Sequence, residues 1–230
     1  MTGTIPGMCP GVPLERPWLV VFDVDSTLIE DEVIERLAEE AGRLAEVKDI
    51  TERAMAGDLD FSESLRARVA ALKGLPVAVF GRVRAKLRLT AGVLEVLPVI
   101  RAQGGEIGLL SGGFHEVIDP LAEELGIDRL RANRLSIQDG RLTGTLEGPI
   151  LDAEGKALAL REWAEDLGIP LSRTVAIGDG ANDLAMMAAA GLSIAFDAKP
   201  LVASRAQVAI TERDMRQILP YLGLMAPGFV

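Results

Sequence analysis

The hydrophobic pattern of the chain contains several short, continuous apolar runs that are rich in β-branched residues. Such runs are typical of strands buried on both faces, as in a parallel sheet, and differ from the alternating pattern of a half-exposed strand. The clearest of them end abruptly in polar residues or glycine. The predicted strands cover residues 18–22, 107–110 and 174–177, with weaker candidates at 192–196 and 208–210.

Segments with apolar residues at helical spacing lie between these runs, and each of them stops at a glycine. Glycine just past the last periodic residue is a common helix end, because it adopts the left-handed conformation there without strain. The predicted helices cover residues 91–103, 116–125, 156–167 and 183–190. The alternation of buried strands with helices predicts an α/β fold with a mainly parallel sheet.

Residues 30–89 interrupt this alternation, since they show several helical patterns in succession and no buried strand. The clearest helices there cover residues 32–41 and 61–72. We therefore expect residues 30–89 to form a small helical cap inserted after the first strand. Residues 18–29 and 90–230 then form the core domain.

Turn-forming residues mark two further segments. Residues 1–17 contain several prolines and glycines without apolar periodicity, so we expect a flexible amino-terminal arm. Asp139 and Gly140 are a typical two-residue hairpin turn, and they predict a small hairpin across residues 133–146.

The composition narrows the possible partners and the compartment. The net charge is −10, from 24 Lys plus Arg against 34 Asp plus Glu, and this disfavours nucleic acid, whose phosphates are bound by clustered basic residues. The single cysteine cannot form an intrachain disulfide, which favours the cytoplasm. No apolar run reaches the roughly 20 residues of a membrane helix, and no signal-peptide pattern is present, so no membrane association is expected.

Asp23 and Asp25 directly follow the first predicted strand, at the sheet edge where ligands bind in open α/β folds. Two neighbouring carboxylates repel each other, so a cation is needed to keep both ionised. Mg²⁺ prefers hard oxygen ligands and commonly binds a substrate phosphate oxygen as well. One carboxylate can then attack phosphorus while the other exchanges protons. Two solvated acids at a strand end are the alternative interpretation.

The second predicted strand ends in Ser111, Gly112 and Gly113. Glycines let a ligand approach the backbone closely, and N–H groups at the start of the following helix can bind phosphate. The serine hydroxyl adds one more donor. An ordinary strand-to-helix turn is the alternative interpretation of this tripeptide.

The strand at 174–177 is followed by Asp179, Asn182 and Asp183. Asp179 is suited to complete the magnesium site, whereas Asp183 either orients it or caps the following helix, a role that Asn182 can also fill. Lys156 stands at the predicted start of a helix, where a cation is unfavourable for the helix dipole. It either neutralises a transferring phosphoryl group or is an ordinary surface lysine.

These clusters, in this order along the chain, resemble the motifs of the haloacid dehalogenase (HAD) superfamily. The resemblance implies a Rossmann-like, HAD-type parallel sheet core, with Asp23 as the nucleophile and Asp25 as the general acid and base. It also implies that Mg²⁺ is bound by the side chains of Asp23 and Asp179 and by the backbone carbonyl of Asp25. Ser111 and Lys156 would hold the phosphoryl oxygens.

Within this superfamily, the sequence resembles the phosphoserine phosphatase family. The matching segments are residues 23–32, 61–68, 72–75 and 111–114. The resemblance implies that Glu32 meets the ammonium group of the substrate, that Arg68 meets its carboxylate, and that Asn182 lies beside it. The activity it implies is Mg²⁺-dependent hydrolysis of O-phospho-L-serine to L-serine and phosphate through an aspartyl-phosphate, the last step of serine biosynthesis.

Two alternatives stay open at this point. An enzyme of the same fold can act on another small phosphate ester, or transfer the phosphate of phosphoserine to homoserine, because Glu32 and Arg68 indicate an amino-acid substrate but not the acceptor. A signalling receiver domain also carries a phosphorylatable aspartate at a strand end, but it is shorter and lacks a cap. We expect a small-molecule phosphomonoester as the partner, and a monomer or homodimer.

Overall fold

The computed structural model describes residues 18–55 and 58–225, with residue 55 described by its backbone alone. The arm predicted at residues 1–17 lies outside this part of the chain. None of the described helices combines the length and the apolar character that crossing a membrane requires.

Seven strands form one sheet in the described part of the chain. They are β1 (Trp18–Asp23), β2 (Gly105–Phe114), β3 (Arg129–Gln138), β4 (Arg141–Glu147), β5 (Thr174–Gly178), β6 (Leu192–Phe196) and β7 (Val208–Ile210). Their spatial order is β4-β3-β2-β1-β5-β6-β7, and all neighbours are parallel except β3 and β4. The predicted α/β fold with a mainly parallel sheet is confirmed. The strand order reverses at β1, which is where ligands bind in sheets of this kind.

Helices follow most of the strands and also fill the segment between β1 and β2. They are α1 (Val33–Glu40), α2 (Leu44–Met55), α3 (Phe61–Ala70), α4 (Val79–Arg84), α5 (Val93–Ala102), α6 (His115–Glu124), α7 (Ala153–Asp166), α8 (Leu184–Ala189) and α9 (Pro200–Arg205). Short 3₁₀ segments cover Leu171–Arg173, Ala181–Asp183 and Met215–Leu222.

Strand β1 lies at the centre of the molecule because both of its faces are covered. Side chains alternate across a strand, so Val20 and Phe22 pack into one apolar layer, whereas Leu19 and Val21 pack into the other. The second layer is formed mainly by α7 and α8. Burial on both faces explains why this strand is a continuous apolar run rather than an alternating one.

The segment of residues 30–89, called the cap segment here, joins the core through two crossings that pair with each other. The Glu30 N–H donates to the Arg88 carbonyl (2.9 Å), and the Thr90 N–H donates to the Leu28 carbonyl (3.0 Å). The buried carboxylate of Asp31 accepts from the Arg88 N–H (2.8 Å) and so reinforces the pairing. The division into a cap at 30–89 and a core stays a prediction.

Three predicted boundaries differ from the structure by three residues or more, and the others by one or two residues at most. Strand β2 continues to Phe114 instead of ending at residue 110, because the chain stays extended through the serine and the two glycines. The hairpin starts at Arg129, since β3 also pairs with β2. Helix α7 starts at Ala153, where the Asp152 carboxylate accepts from the Gly155 N–H (2.8 Å), so Lys156 lies inside the first turn rather than at the start.

Candidate active site

The chain turns sharply after β1 and brings Asp23 and Asp25 to the same edge of the sheet. Ser26 adopts the left-handed conformation, with a φ of 56°, and this reverses the chain direction. Asp23 is almost fully buried. The carboxylate of Asp25 accepts hydrogen bonds from the Val33 N–H (2.6 Å) and from the Ser111 hydroxyl (2.8 Å). Asp25 therefore connects the first cluster to the second and to the start of α1.

Lys156 is completely buried and is held by two carboxylates, so it is not a surface lysine. Its Nζ donates to Asp23 Oδ1 and to Asp183 Oδ1, the latter at 2.7 Å. The other oxygen of Asp183 accepts from the Gly180 N–H (3.0 Å). Asp183 therefore caps the 3₁₀ turn after β5 and holds Lys156, but its side chain makes no capping bond to α8, so the predicted cap of the following helix is wrong. Its predicted role in orienting Asp179 stays a prediction.

Gly178, at the end of β5, gives the Asp183 carboxylate the space that it occupies. A Cβ added at Gly178 would collide with Asp183 Oδ2. Any larger residue would push this carboxylate away from Lys156. The glycine is therefore needed for close packing, because it brings the third cluster against the buried lysine.

Three carboxylates converge near the end of β1. One oxygen each from Asp23, Asp179 and Asp183 can be chosen so that all three lie within 4.8 Å of one another. Burial, followed by the charge of Asp183, raises the pKa of Asp23 well above its usual range. The same two causes raise the pKa of Asp179 to about 6. These carboxylates are hard oxygen ligands, and they are costly to ionise together without a positive charge between them. A divalent cation fits such a set of ligands.

Burial also raises the pKa of Asp25, although hydrogen bonds from Val33 and Ser111 act in the opposite direction. For Lys156, burial alone lowers the pKa, but the charges of Asp183 and Asp23 outweigh burial and raise it. The lysine therefore stays charged. A protonated lysine facing several carboxylates neutralises only one of their charges, which leaves this edge of the sheet negative.

A cavity of about 1020 Å³ opens above these carboxylates, between the sheet edge and the cap segment. Most residues predicted for the site line this cavity. They are Asp23, Asp25, Gly112, Gly113, Asp179 and Asn182 from the sheet side, and Glu32 and Arg68 from the cap side. Ser111 and Lys156 lie behind this lining and contact it through Asp25 and Asp23.

Glu32 and Arg68 supply opposite charges on the cap side of the cavity. The Ser26 hydroxyl donates to Glu32 Oε1 (2.6 Å). Burial, followed by the charge of Asp25, raises the pKa of Glu32 to about 7. Burial lowers the pKa of Arg68, and the charges of Glu32 and Asp25 partly offset this effect. The cap side of the cavity thus carries the guanidinium of Arg68 and the carboxylate of Glu32, and Glu35 adds a second acid there.

Several residues of the site were not among the candidates from the sequence, and two of them hold other site residues in place. Ser26 orients Glu32, and Asn133 on β3 donates to the Gly112 carbonyl (2.9 Å). Asparagine is disfavoured in strands, so an Asn within a predicted strand is a weak signal that its side chain has a specific partner. Nothing comparable distinguishes Ser26 in the sequence.

Comparison with known proteins defines the class to which this fold and site belong. The family model described as haloacid dehalogenase-like hydrolase matches residues 20–188, so the chain belongs to this family. Hydrolases of this family use a divalent metal, in agreement with the carboxylate cluster of Asp23, Asp179 and Asp183.

The particular relatives are phosphoserine phosphatases, as the sequence resemblance implied. The chain is 49% identical over 204 residues to the phosphoserine phosphatase of Streptococcus thermophilus, covering 89% of this chain and 95% of that protein. It is 52% identical over 206 residues to the enzyme of Streptomyces coelicolor, covering 90% of this chain but only half of that longer relative.

A solved structure described as a phospho-aspartyl intermediate analogue of phosphoserine phosphatase superimposes with a TM-score of 0.86. It is 43% identical in sequence, and the match covers 90% of this chain and all of that chain. The HAD-type fold and the membership of an enzyme family are thereby confirmed.

Proposed function

We propose that this chain hydrolyses O-phospho-L-serine to L-serine and phosphate, with the phosphoryl group passing through an ester on Asp23. The observation that carries the proposal is the cavity itself. It combines Asp23 and Asp25 on the sheet side with Glu32 and Arg68 on the cap side. The phosphoserine phosphatases to which the chain is similar support the same substrate.

Asp23 is the nucleophile in this proposal. Its Oδ1 is held by Lys156, which leaves Oδ2 to attack phosphorus as the ester bond to the serine oxygen breaks. Asp25 gives a proton to the departing serine alkoxide. It then takes a proton from the water that attacks the aspartyl-phosphate and releases phosphate. The raised pKa of Asp25 supports this role, because a carboxyl group must be protonated to act as an acid.

The transferring phosphoryl group carries negative charge, and positioned donors stabilise it. Lys156 supplies a buried cation beside Asp23, while Ser111 and the backbone of Gly112 and Gly113 supply neutral donors. The Ser111 hydroxyl and the Gly113 N–H exchange their acceptors in this structure, Asp25 Oδ2 and Ser111 Oγ, for phosphoryl oxygens when the substrate binds. These groups act on the phosphoryl oxygens alone. They are therefore expected to serve any phosphate ester equally and to contribute nothing to the choice of substrate.

We propose Mg²⁺ as the divalent cation. Its ligands are the side chains of Asp23 and Asp179 and the backbone carbonyl of Asp25, with Asp183 close enough to orient them. When bound, the cation would supply positive charge that offsets the negative charge of the neighbouring carboxylates and of the phosphoryl oxygens. The raised pKa values of Asp23 and Asp179 support a cation at this position.

The amino-acid part of the substrate is recognised by the cap side of the cavity. Glu32 pairs with the ammonium group, and Arg68, whose planar guanidinium matches a carboxylate, pairs with the carboxylate. Asn182 lines the cavity beside the phosphate-binding residues and contacts the same ligand. A free amino acid has one cation and one anion besides its phosphate, and the two cap residues complement them.

We further propose a cytoplasmic enzyme that acts as a monomer or homodimer on a free phosphomonoester. The single cysteine supports a reducing compartment. The net charge of −10 argues against a nucleic-acid partner.

The test is phosphate release with Mg²⁺ from L-phosphoserine, phosphothreonine, phosphoethanolamine, glycerol phosphate and an aryl phosphate, in wild type and Arg68→Ala. Arg66→Ala is the matched control, because Arg66 is an exposed arginine on the same helix. We expect selectivity for phosphoserine that collapses in Arg68→Ala alone, while the aryl phosphate is still cleaved. Equal rates across the panel in wild type would refute the substrate, and phosphate transfer to added homoserine would indicate the transferase.

A further inference from the structure

A side-chain amide outside the catalytic motifs joins two of the segments that carry them. Asn133 lies on β3 and is 2% exposed. Its Nδ2 donates to the Gly112 carbonyl (2.9 Å), and its Oδ1 accepts from the Leu151 N–H (2.8 Å). A carbonyl can only accept and an N–H can only donate, so these two partners also determine the orientation of the amide.

The Gly112 carbonyl needs this partner because the ladder between β2 and β3 is interrupted at residues 111–113, called the phosphate-binding segment here. Leu110 pairs with Arg131 and Phe114 pairs with Asn133, so β2 advances by four residues where β3 advances by two. The extra residues bulge out of the ladder and lose their regular backbone partners. The side chain of Asn133 replaces one of them.

The peptide group that Asn133 contacts begins a chain of hydrogen bonds to Asp25. The Gly112 carbonyl and the Gly113 N–H belong to one peptide unit. That N–H donates to Ser111 Oγ (2.8 Å), and the Ser111 hydroxyl donates to Asp25 Oδ2 (2.8 Å). Because the peptide is planar, anchoring its carbonyl also fixes the direction of its N–H. The direction of the Ser111 hydroxyl is fixed in turn.

The second hydrogen bond of Asn133, from the Leu151 N–H, connects it with the helix that carries Lys156. Leu151 immediately precedes Asp152, whose side chain caps α7, and Lys156 lies in the first turn of that helix. The hydrogen bond to the Leu151 N–H therefore holds the start of α7 at a set distance from the phosphate-binding segment. One buried amide thus connects the segment of Ser111 with the segment of Lys156.

We infer that Asn133 is a positioning residue for phosphoryl transfer, which holds Ser111 and Lys156 in register with each other. The inference rests on the proposed roles of Ser111 and Lys156, but not on the identity of the substrate. Asn133 does not line the cavity, so it acts through Ser111 and Lys156. Both of these residues are proposed to bind the phosphoryl group, so Asn133 should not affect recognition of the amino-acid part of the substrate.

The experiment compares wild type, Asn133→Leu, Ser111→Ala and the double variant, with Mg²⁺, on phosphoserine and on an aryl phosphate. We expect kcat of Asn133→Leu to fall about 10- to 100-fold on both substrates, as small misplacements of reacting groups do. KM for phosphoserine should change less, since Glu32 and Arg68 are untouched. In the Ser111→Ala background, adding Asn133→Leu should lower kcat by a factor about 3-fold or more smaller than it does in the wild type. The reason is that Ser111→Ala has already broken the chain of hydrogen bonds.

Ser193→Ala is the structural control. Ser193 is also buried and bonded to a side-chain amide, that of Gln207, but it lies on β6 outside the cavity lining. It should lose stability while keeping the wild-type kcat. Should Asn133→Leu not fold, Asn133→Ser replaces it, because the shorter hydroxyl cannot reach both partners.

Two outcomes overturn the inference. One is a wild-type kcat in a folded Asn133 variant. The other is that Asn133→Leu lowers kcat by the same factor in the wild type and in Ser111→Ala. A wild type that cleaves the aryl phosphate but not phosphoserine would refute the proposed substrate and leave the test of Asn133 valid on the aryl ester.

Discussion

Lys156 illustrates how a residue acquires a role that its local sequence does not reveal. Its partners Asp23 and Asp183 lie 133 and 27 positions away in the chain. A lysine near a helix start is most often solvated, and only the convergence of β1, β5 and α7 buries this one. Removing a single partner from such a buried set is costly, because it leaves charge without compensation.

Glu32 gives the choice of substrate a pH dependence, because it is proposed to contact only the amino group. Its pKa of about 7 means that it loses its charge as the pH falls through neutrality in the free enzyme. We predict that the ratio of kcat/KM for phosphoserine to kcat/KM for the analogue with hydrogen in place of the amino group falls about 10-fold between pH 8 and pH 6. Taking the ratio cancels the titration of groups that serve both substrates.

Glu32→Gln is the control for this measurement. The amide has the same shape and cannot ionise, so the ratio should be low at every pH and should not vary with it. A wild-type ratio that is constant between pH 6 and pH 8 would contradict the role of Glu32, as would an equal slope in the amide variant.

The candidates at the three strand ends could be found from the sequence because each follows an apolar run and shares its edge of the sheet. Asp23, Ser111 and Asp179 were predicted in this way. Asn133 was not, since its partners Gly112 and Leu151 become neighbours only after β3 pairs with β2. A residue that acts by bridging distant segments leaves at most a weak signal in its own segment, here an Asn in a strand.

At the scale of elements, strands buried on both faces were the most predictable feature. The candidates at 192–196 and 208–210 coincide with β6 and β7. Helices α2, α4 and α9 were not individually predicted, because short or strongly charged helices are stabilised by packing rather than by their own periodicity. The hairpin turn at Asp139 and Gly140 is confirmed by their positive φ values of 51° and 73°.

The hairpin of β3 and β4 also fixes one side of the cap segment. The Gly74 N–H donates to the Leu142 carbonyl (2.8 Å), and the Leu142 N–H donates to the Leu75 carbonyl (2.9 Å). Gly144 on β4 packs so closely that a Cβ would lie 3.0 Å from Lys73 Cβ and 3.3 Å from the Ala70 carbonyl oxygen. The cap segment is thus attached to the core at this point as well as at its two crossings.

We predict that Gly144→Ala destabilises the protein more than Gly140→Ala, as measured by urea unfolding. Both glycines have positive φ, 85° and 73°, so both variants incur a backbone cost of about 1–2 kcal/mol. Both glycines lie beside the cap segment, since the Gly140 carbonyl accepts from the Val77 N–H (3.0 Å). Only the added Cβ of Gly144→Ala collides with that segment, because a Cβ at Gly140 has open space around it. Equal losses would show that the close packing of Gly144 against Lys73 and Ala70 contributes nothing to stability.

At the scale of the whole molecule, several carboxylates surround one lysine, so we expect divalent cations to raise the free energy of unfolding. We predict that Mg²⁺ at 100 times its dissociation constant stabilises the protein by about 2.7 kcal/mol, since it binds the folded state alone. If that ratio is set at pH 8, the same Mg²⁺ concentration should give a smaller gain at pH 5.5, because the dissociation constant rises there. The pKa of Asp179 is raised to about 6, so at the lower pH the metal must displace a proton.

Thermal unfolding with and without Mg²⁺ measures this effect, and Asp179→Asn is the control that should remove most of it. An unchanged midpoint at both pH values, in a preparation freed of metal by a chelator, would contradict a cation site at the carboxylate cluster. An equal gain in the Asp179→Asn variant would show that the cation binds elsewhere.

The covalent intermediate on Asp23 is the central claim, and trapping it is the most direct test. Asp25→Asn should still accept a phosphoryl group from an aryl phosphate, whose leaving group needs no proton, but should hydrolyse the ester slowly. Acid quenching and peptide mass spectrometry should then find one phosphoryl group on Asp23, and none in Asp23→Asn. A phosphoryl group on another residue, or turnover by the Asp23→Asn variant, would contradict the account.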